Sequence, residues 1–126
     1  MSAELARLRR IALALPEVSE RLSHGAVCFF VRQTRPLCYF HDRRNDDRIS
    51  VWCPMPDGMA ATLVARDPDR HFQPTPSSGG AFASWVGIYV DGVDREAVDW
   101  AEVADIIELA FRFVAPSRLA AQLDRG

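Results

Sequence analysis

The chain has 126 residues, of which 48% are hydrophobic and 25% charged, and its formal net charge is −2. This length predicts one domain over residues 1–126, and the composition excludes a disordered or collagen-like chain. No apolar run approaches the ~18 residues that cross a bilayer. Because residues 1–10 are charged and lack an apolar signal segment, we expect a cytoplasmic protein with no membrane association.

The charge balance limits the classes of partner. All 15 cationic side chains are arginines, and they face 17 acidic residues. Proteins held to nucleic acid by phosphate contacts usually have a strongly basic domain or stripe. The sequence therefore argues against tight nonspecific DNA binding, although a local arginine patch could still contact phosphates, since the guanidinium fork suits bidentate contacts.

The cysteines and histidines form no recognisable metal motif. The cysteines are Cys28, Cys38 and Cys53, an odd number with no Cys-x-x-Cys pair. The histidines are His24, His41 and His71, spaced 17 and 30 residues apart. Neither spacing is typical of a zinc site or a disulfide framework. We therefore predict no metal and no cofactor.

The apolar periodicity predicts a helix followed by a β meander. The helix covers residues 3–15, with Ser2 as its cap and Pro16 as its end. Three strands are expected over 27–32, 37–41 and 48–53. Because short turns connect them, these strands should be antiparallel.

The second half of the chain is predicted to be mostly helical. A short helix over 58–65 should be capped by Asp57, and one or two strands follow within 71–90. An Asp-x-x-Glu capping box at Asp99 predicts the long closing helix, with Phe113 helping its buried stripe. A terminal helix should begin at Pro116. The chain is therefore predicted to be an α+β domain. Its antiparallel sheet, a meander plus one or two later strands, is packed on one face by the N-terminal and C-terminal helices.

The turn between the first two predicted strands decides the pairing of their side chains. A four-residue turn over 33–36 places Phe29 opposite Phe40 and Cys28 opposite His41. A thiolate beside an imidazole could serve as a nucleophile. This pairing depends on the register, and no third orienting residue is apparent. We therefore predict no catalytic residue and keep a Cys/His-dependent enzyme as the remotest alternative.

Arginines at two predicted turns are the candidate phosphate contacts. They are Arg32, Arg35, Arg43, Arg44 and Arg48. Three aspartates between residues 42 and 47 match the arginines of the second turn in number. A solvated turn with internal ion pairs is therefore the alternative interpretation there.

Trp52 and His24 complete the candidate binding residues. An exposed Trp52 beside arginines would suit base stacking or a partner interface, whereas a covered Trp52 would belong to the core. His24, before Gly25, either holds the strand turn through a hydrogen bond or contacts a ligand. The loop over 74–80, rich in Pro, Thr, Ser and Gly, could cover a groove.

Several short motifs occur in the order and spacing of one known family. They are Ser23-His24-Gly25 followed by Phe29 and Val31, Ala65-Arg66-Asp67-Pro68 followed by Phe72, Trp85-Val86-Gly87-Ile88 followed by Asp91, and Asp99-Trp100 with Val114-Ala115-Pro116 and Arg118-Leu119. Together they resemble the MmcQ/YjbR-like family over nearly the whole chain. The resemblance implies an α+β fold similar to a double-wing DNA-binding architecture, in which β-hairpins project as wings. It implies no established reaction.

The sequence thus predicts a small non-catalytic binding domain. The leading hypothesis is a wing-type DNA-binding or regulatory protein that uses the five arginines with His24 and Trp52. The alternative is a small-ligand or protein-binding module that uses the groove between the hairpins and the 74–82 loop. Fold likeness alone does not decide between them.

Overall fold

The computed structural model describes residues 2–43, 48–74, 82–91 and 98–125. Its elements in chain order are α1 (Ala3–Ala12), β1 (Val18–Ser23), β2 (Ala26–Val31), β3 (Arg35–Asp42), β4 (Ile49–Pro54), α2 (Met59–Arg66), β5 (His71–Phe72), β6 (Trp85–Tyr89), α3 (Trp100–Val114) and α4 (Ser117–Ala121), followed by a 3-10 turn, Gln122–Arg125. Within the described residues, no helix combines the length and apolar character needed to cross a bilayer.

The six strands form one antiparallel sheet in the order β1-β2-β3-β4-β6-β5. The first four strands are a meander, and β6 lies between β4 and the two-residue edge strand β5. The predicted α+β class is therefore confirmed. The meander has one strand more than the three predicted.

The additional strand is β1, which forms the other edge of the sheet. It joins β2 through a two-residue turn in which His24 and Gly25 both have positive φ, 52° and 79°. This left-handed geometry is typical of tight hairpins. A bidentate ion pair between Glu20 and Arg9 of α1, with its shortest distance 2.8 Å, fastens β1 to the helix layer. The strand was missed because its polar sequence lacks the apolar run of a central strand.

The predicted register of β2 and β3 is wrong by two residues at Cys28 and Phe29, and by three beyond a β-bulge between Phe29 and Phe30. The turn consists of residues 32–34, not 33–36, because Arg32 and Gln33 adopt positive φ, 52° and 65°. Cys28 therefore faces Tyr39 instead of His41. A slip of two residues changes the partners but preserves the faces, since side chains alternate with period two.

One face of the sheet is covered by helices and holds the main core. Leu8 of α1, Leu63 of α2, Ile107 of α3 and Leu119 of α4 all belong to the same buried cluster as the inward-facing strand residues. The closing helix buries Val103, Ile106, Ile107 and Ala110 as predicted, and differs from the prediction near its end. Its terminal turns bury Phe111 and leave Phe113, which was predicted to be buried, 50% exposed.

The helix starts confirm one predicted cap and correct another. The side chain of Asp99 accepts a hydrogen bond from the backbone N–H of Glu102 at 3.1 Å, so the predicted cap of α3 is confirmed. The α2 cap was wrongly assigned to Asp57. The N-cap position is Gly58, at φ 83°, and it makes no side-chain cap. Glycine suits this left-handed position because it lacks a Cβ.

Candidate aromatic binding site

The opposite face of the sheet carries a second cluster, formed by strand residues and Phe82, with no residue of a described helix. A continuous row of paired residues crosses this face from edge to edge. The row runs Arg21, Cys28, Tyr39, Trp52, Gly87, Phe72. Because neighbouring residues in such a row point to the same side, the row places large rings beside small residues on one surface.

The rings on this face contact one another. Trp52 packs 4.2 Å from the His41 ring and 6.3 Å from Phe72, measured between centroids. Phe72 stacks on Tyr89 at 4.7 Å, and Tyr39 lies 5.8 Å from Trp85. Centroid distances of this size are typical of favourable aromatic pairs. The face is therefore a continuous aromatic layer.

Five of these rings are neither buried nor fully exposed. We call them the ring cluster: Trp52, Phe72, Phe82, Trp85 and Tyr89. The other rings of the layer are covered, since Tyr39 is 7% exposed and His41 8%. The accessible part of the aromatic face therefore lies over β4, β6 and β5.

Polar groups at the ring cluster are held in place by short contacts. The indole Nε1–H of Trp52 donates to the Ser50 hydroxyl at 3.1 Å. The guanidinium of Arg48 lies 3.9 Å from the centroid of Tyr89 and forms a bidentate pair with Asp91, with distances of 2.9–3.1 Å. Asp91 also accepts from the backbone N–H of Ile49. The Arg48 cation beside these rings is thus already matched by a carboxylate.

Arg21 lies on the same face at the β1 edge. Its guanidinium stacks 3.7 Å from the centroid of Phe30 and donates to the carbonyl oxygen of Gln33 at 2.6 Å. The Ser23 and Tyr39 hydroxyls share a 3.1 Å hydrogen bond nearby. This end of the face is therefore polar, and its polar groups contact one another or the backbone.

The surroundings of Cys28 disfavour the thiolate form that a reactive cysteine needs. Its side chain is fully buried between the strands, and this burial raises the pKa of the thiol to about 12, against smaller lowering effects from Tyr39 and Arg21. The thiolate, not the thiol, is the nucleophile. Because the predicted facing pair with His41 is also absent, the arrangement gives no support to a Cys/His nucleophile.

The two arginines predicted at the first turn each already contact another segment of the chain, one through a side chain and one through the backbone. Arg32 pairs with Glu17 at 3.2 Å, both side chains being about half exposed. Arg35 donates to the carbonyl oxygen of Val114 at 2.9 Å, at the end of α3. A cation at this point is favourable because the helix C-terminus is partly negative.

The other predicted arginines and His24 lie at the opposite end of the sheet. Arg43 pairs with Asp42 at 2.7 Å, Arg48 is the Asp91 partner described above, and His24 is an exposed turn residue. Arg44 lies outside the described residues. Since β3 rises ~3.4 Å per residue, about 24 Å separates the two groups of arginines. The described members of the predicted set therefore do not form one surface.

Of the predicted site residues that the structure describes, Trp52 belongs to the ring cluster and Arg48 contacts it, whereas the others lie elsewhere. The sequence did not indicate four further residues of this site: Phe72, Phe82, Trp85 and Tyr89. The alternation within β6 indicated that Trp85 and Tyr89 share a face. The neighbours that complete the cluster come from β5 and the turn before β6, and their position follows from strand order, which no local pattern encodes.

A cavity of about 230 Å³ lies on the helix side, between β5 and the start of α3. Charged residues, Asp67, Arg70, Asp99 and Glu102, form much of its wall. Beside it, the fully buried ring of His71 places its Nε2 atom 2.8 Å from Glu102 Oε1. Within the described part of the chain, no three His, Cys, Asp or Glu side chains converge as a metal site would require.

Comparison with known proteins identifies a family. A family model described as YjbR matches residues 13–113, most of the chain and all six strands. Neither the curated proteins nor the solved structures give a significant match.

Proposed function

Because this chain belongs to the YjbR family, we propose that it acts as the binding domain its sequence predicts, and that it holds the flat ring of a small ligand on the aromatic face. The single observation that carries this proposal is the ring cluster. It consists of five half-buried aromatic side chains on the face to whose cluster no helix of the described residues contributes.

The physical argument is that large partly exposed rings are favourable surfaces for other rings. Small-ligand sites are lined mainly by apolar and aromatic side chains with a few fixed polar groups. Here the polar groups are the Trp52–Ser50 hydrogen bond and the Arg48–Asp91 pair. A ligand ring that stacks on Trp52 or Tyr89 would gain apolar burial as well as an aromatic contact, each worth about 1 kcal/mol or more.

Charge favours a small ligand over a polyanion. The net charge is −2, and the arginine nearest the ring cluster is paired with Asp91 at 2.9 Å. Binding of single-stranded or double-stranded nucleic acid relies on several phosphate contacts. We therefore assign a ligand with a flat aromatic ring system and little charge.

Isothermal titration with thymidine and adenosine tests this function. We expect measurable binding by the wild-type protein and a loss of about tenfold in Trp52→Ala, since one ring contact is removed. Phe113→Ala is the matched control, because Phe113 is an aromatic residue 50% exposed on the helix side. Equal effects of the two substitutions would contradict the proposal.

Wing-type binding of duplex DNA is the second candidate. The exposure of the hairpin arginines favours it, since the side chains of Arg32 and Arg43 are 49% and 60% exposed. Both would have to exchange a carboxylate for a phosphate. Fluorescence anisotropy with labelled duplex DNA at low and high salt tests this candidate. It predicts affinity that falls with salt and falls again in an Arg32→Ala, Arg43→Ala double variant.

A further inference from the structure

Phe82 belongs to the ring cluster but does not lie in a strand. It begins the turn that leads into β6, where its carbonyl oxygen accepts from the backbone N–H of Trp85 at 3.1 Å. Its ring meets three rings of the sheet. The centroid distances are 5.7 Å to Tyr39, 5.4 Å to Trp52 and 4.8 Å to Trp85, with interplanar angles of 86°, 79° and 85°.

This geometry is that of a bound ring. Three nearly perpendicular contacts from one phenyl group are what a ligand ring would make at the same walls, because edge-to-face packing is a preferred arrangement of aromatic pairs. The other members of the ring cluster have their backbones fixed by strand pairing. Phe82 is held by its turn and by its ring contacts.

We propose that Phe82 fills, in the free protein, a subsite for a single six-membered aromatic ring, and that the ring of the ligand replaces it there. The walls of this Phe82 subsite are Tyr39, Trp52 and Trp85. The inference rests on the function proposed above and adds the size of the ring that the site accepts. It also makes Phe82 a competitor that lowers the apparent affinity of the wild-type protein, since binding then includes its displacement.

The polar groups of the subsite walls restrict the kind of ligand ring that can bind. The Tyr39 hydroxyl and the Trp52 indole N–H are already hydrogen-bonded to Ser23 and Ser50. The Tyr39 and Trp52 walls of the Phe82 subsite therefore offer ring faces and edges rather than free polar groups, and a charged ring would lose much of its hydration there. An uncharged phenyl or pyrimidine ring matches the space of Phe82, whereas a bicyclic purine exceeds it.

The test compares wild type with Phe82→Ala in titrations with phenol, thymidine and adenosine. We expect affinity for phenol and thymidine to rise about tenfold in Phe82→Ala, because the competing ring is gone. Adenosine should gain less. Phe72→Ala is the matched control, since it removes a ring of the same cluster that lies outside the subsite. Its affinity for the same probes should not rise.

The outcomes separate this inference from the proposed function. Binding by wild type with no gain in Phe82→Ala overturns the inference and leaves the function standing. Binding by Phe82→Ala alone supports the subsite and contradicts ligand binding by the unaltered protein. No binding by either protein overturns both. A gain for adenosine equal to that for thymidine overturns the assigned ring size.

A measurement without ligand guards against a folding defect. Acrylamide should quench tryptophan emission more strongly in Phe82→Ala than in wild type, because Trp52 and Trp85 lose a covering ring. Circular dichroism establishes whether the variant is folded. If it is not, Phe82→Val, which keeps part of the apolar volume and leaves part of the subsite open, replaces it in the same titrations, with a smaller gain expected in the same direction. Unchanged quenching in a folded variant overturns the inference.

Discussion

The ring of Phe72 lies directly over Gly87, the residue that pairs with it across β5 and β6, in the place that a Cβ atom would occupy. Glycine usually weakens the interior of a strand because it adds backbone entropy and packs nothing. Here its missing side chain lets Phe72 lie flat against the sheet and stack on Tyr89. Gly87 thus shapes the accessible end of the aromatic face.

Substitution of Gly87 by alanine should displace the Phe72 ring. We expect the free energy of unfolding to fall by about 1–3 kcal/mol, as for other overpacked sites, and ligand affinity to fall with it. Urea unfolding measures the stability change. In a Phe72→Ala background the same substitution should cost much less, because the clashing ring is absent. An equal cost in both backgrounds would show that Phe72 is not the cause.

The Arg48–Asp91 pair should contribute far more to stability than the surface pairs. The Asp91 side chain is 4% exposed and that of Arg48 is 23% exposed. Asp91→Ala leaves this cation and the N–H of Ile49 without their carboxylate, so we expect a loss of about 3 kcal/mol. Glu17→Ala, which breaks the half-exposed pair with Arg32, should cost at most about 0.5 kcal/mol. Similar losses in urea unfolding would contradict the account.

Glu102 should stabilise the buried ring of His71. Its Oε1 atom lies 2.8 Å from His71 Nε2, and the histidine side chain is completely buried. Glu102→Ala removes the carboxylate that contacts a buried ring nitrogen, and leaving a buried polar group without such a neighbour usually costs about 1–3 kcal/mol. Glu108→Ala, on the exposed side of α3, is the control. Thermal unfolding of the two variants should differ clearly, and coincident curves would refute the role assigned to Glu102.

Stability should fall at alkaline pH through the buried thiol of Cys28. Its pKa is raised from about 9 to about 12 by burial, so the native state keeps a proton that the unfolded chain releases. This contribution is complete below about pH 9 and is lost as the pH rises toward 12, at about 1.4 kcal/mol per pH unit. Urea unfolding of wild type and Cys28→Ala between pH 8 and pH 11 measures it. The variant should lose less stability, although burial raises the pKa of Cys38 as well, and an identical pH dependence would count against the prediction.

The sequence predicted which face each central strand residue occupies but not which partners meet. Alternation assigns Phe29 and Cys38 to one side and Cys28 and Tyr39 to the other, and this survives a two-residue slip. The slip itself arises from positive φ at Arg32 and Gln33. Neither residue type favours that conformation strongly enough for the sequence to indicate the turn.

The binding surface was less predictable because its contacts are long-range. Trp52 could be identified as a candidate from the sequence of its own strand. Its neighbour Phe72 lies in β5, and the two residues come close because β6 pairs with both β4 and β5. Arg48 was predicted to contact phosphate, but its carboxylate partner, Asp91, lies 43 residues away in sequence. Such pairings depend on strand order, which the local pattern of residues does not specify.

The indole N–H signals of the three tryptophans test the central claim most directly. Trp52 and Trp85 lie on the aromatic face, whereas Trp100 packs on the helix side, with Arg7 over its ring. In ¹H–¹⁵N spectra recorded during a thymidine titration, the Trp52 and Trp85 signals should shift together while that of Trp100 stays in place. Signals that all remain fixed, or a shift confined to Trp100, would contradict ligand binding on this face.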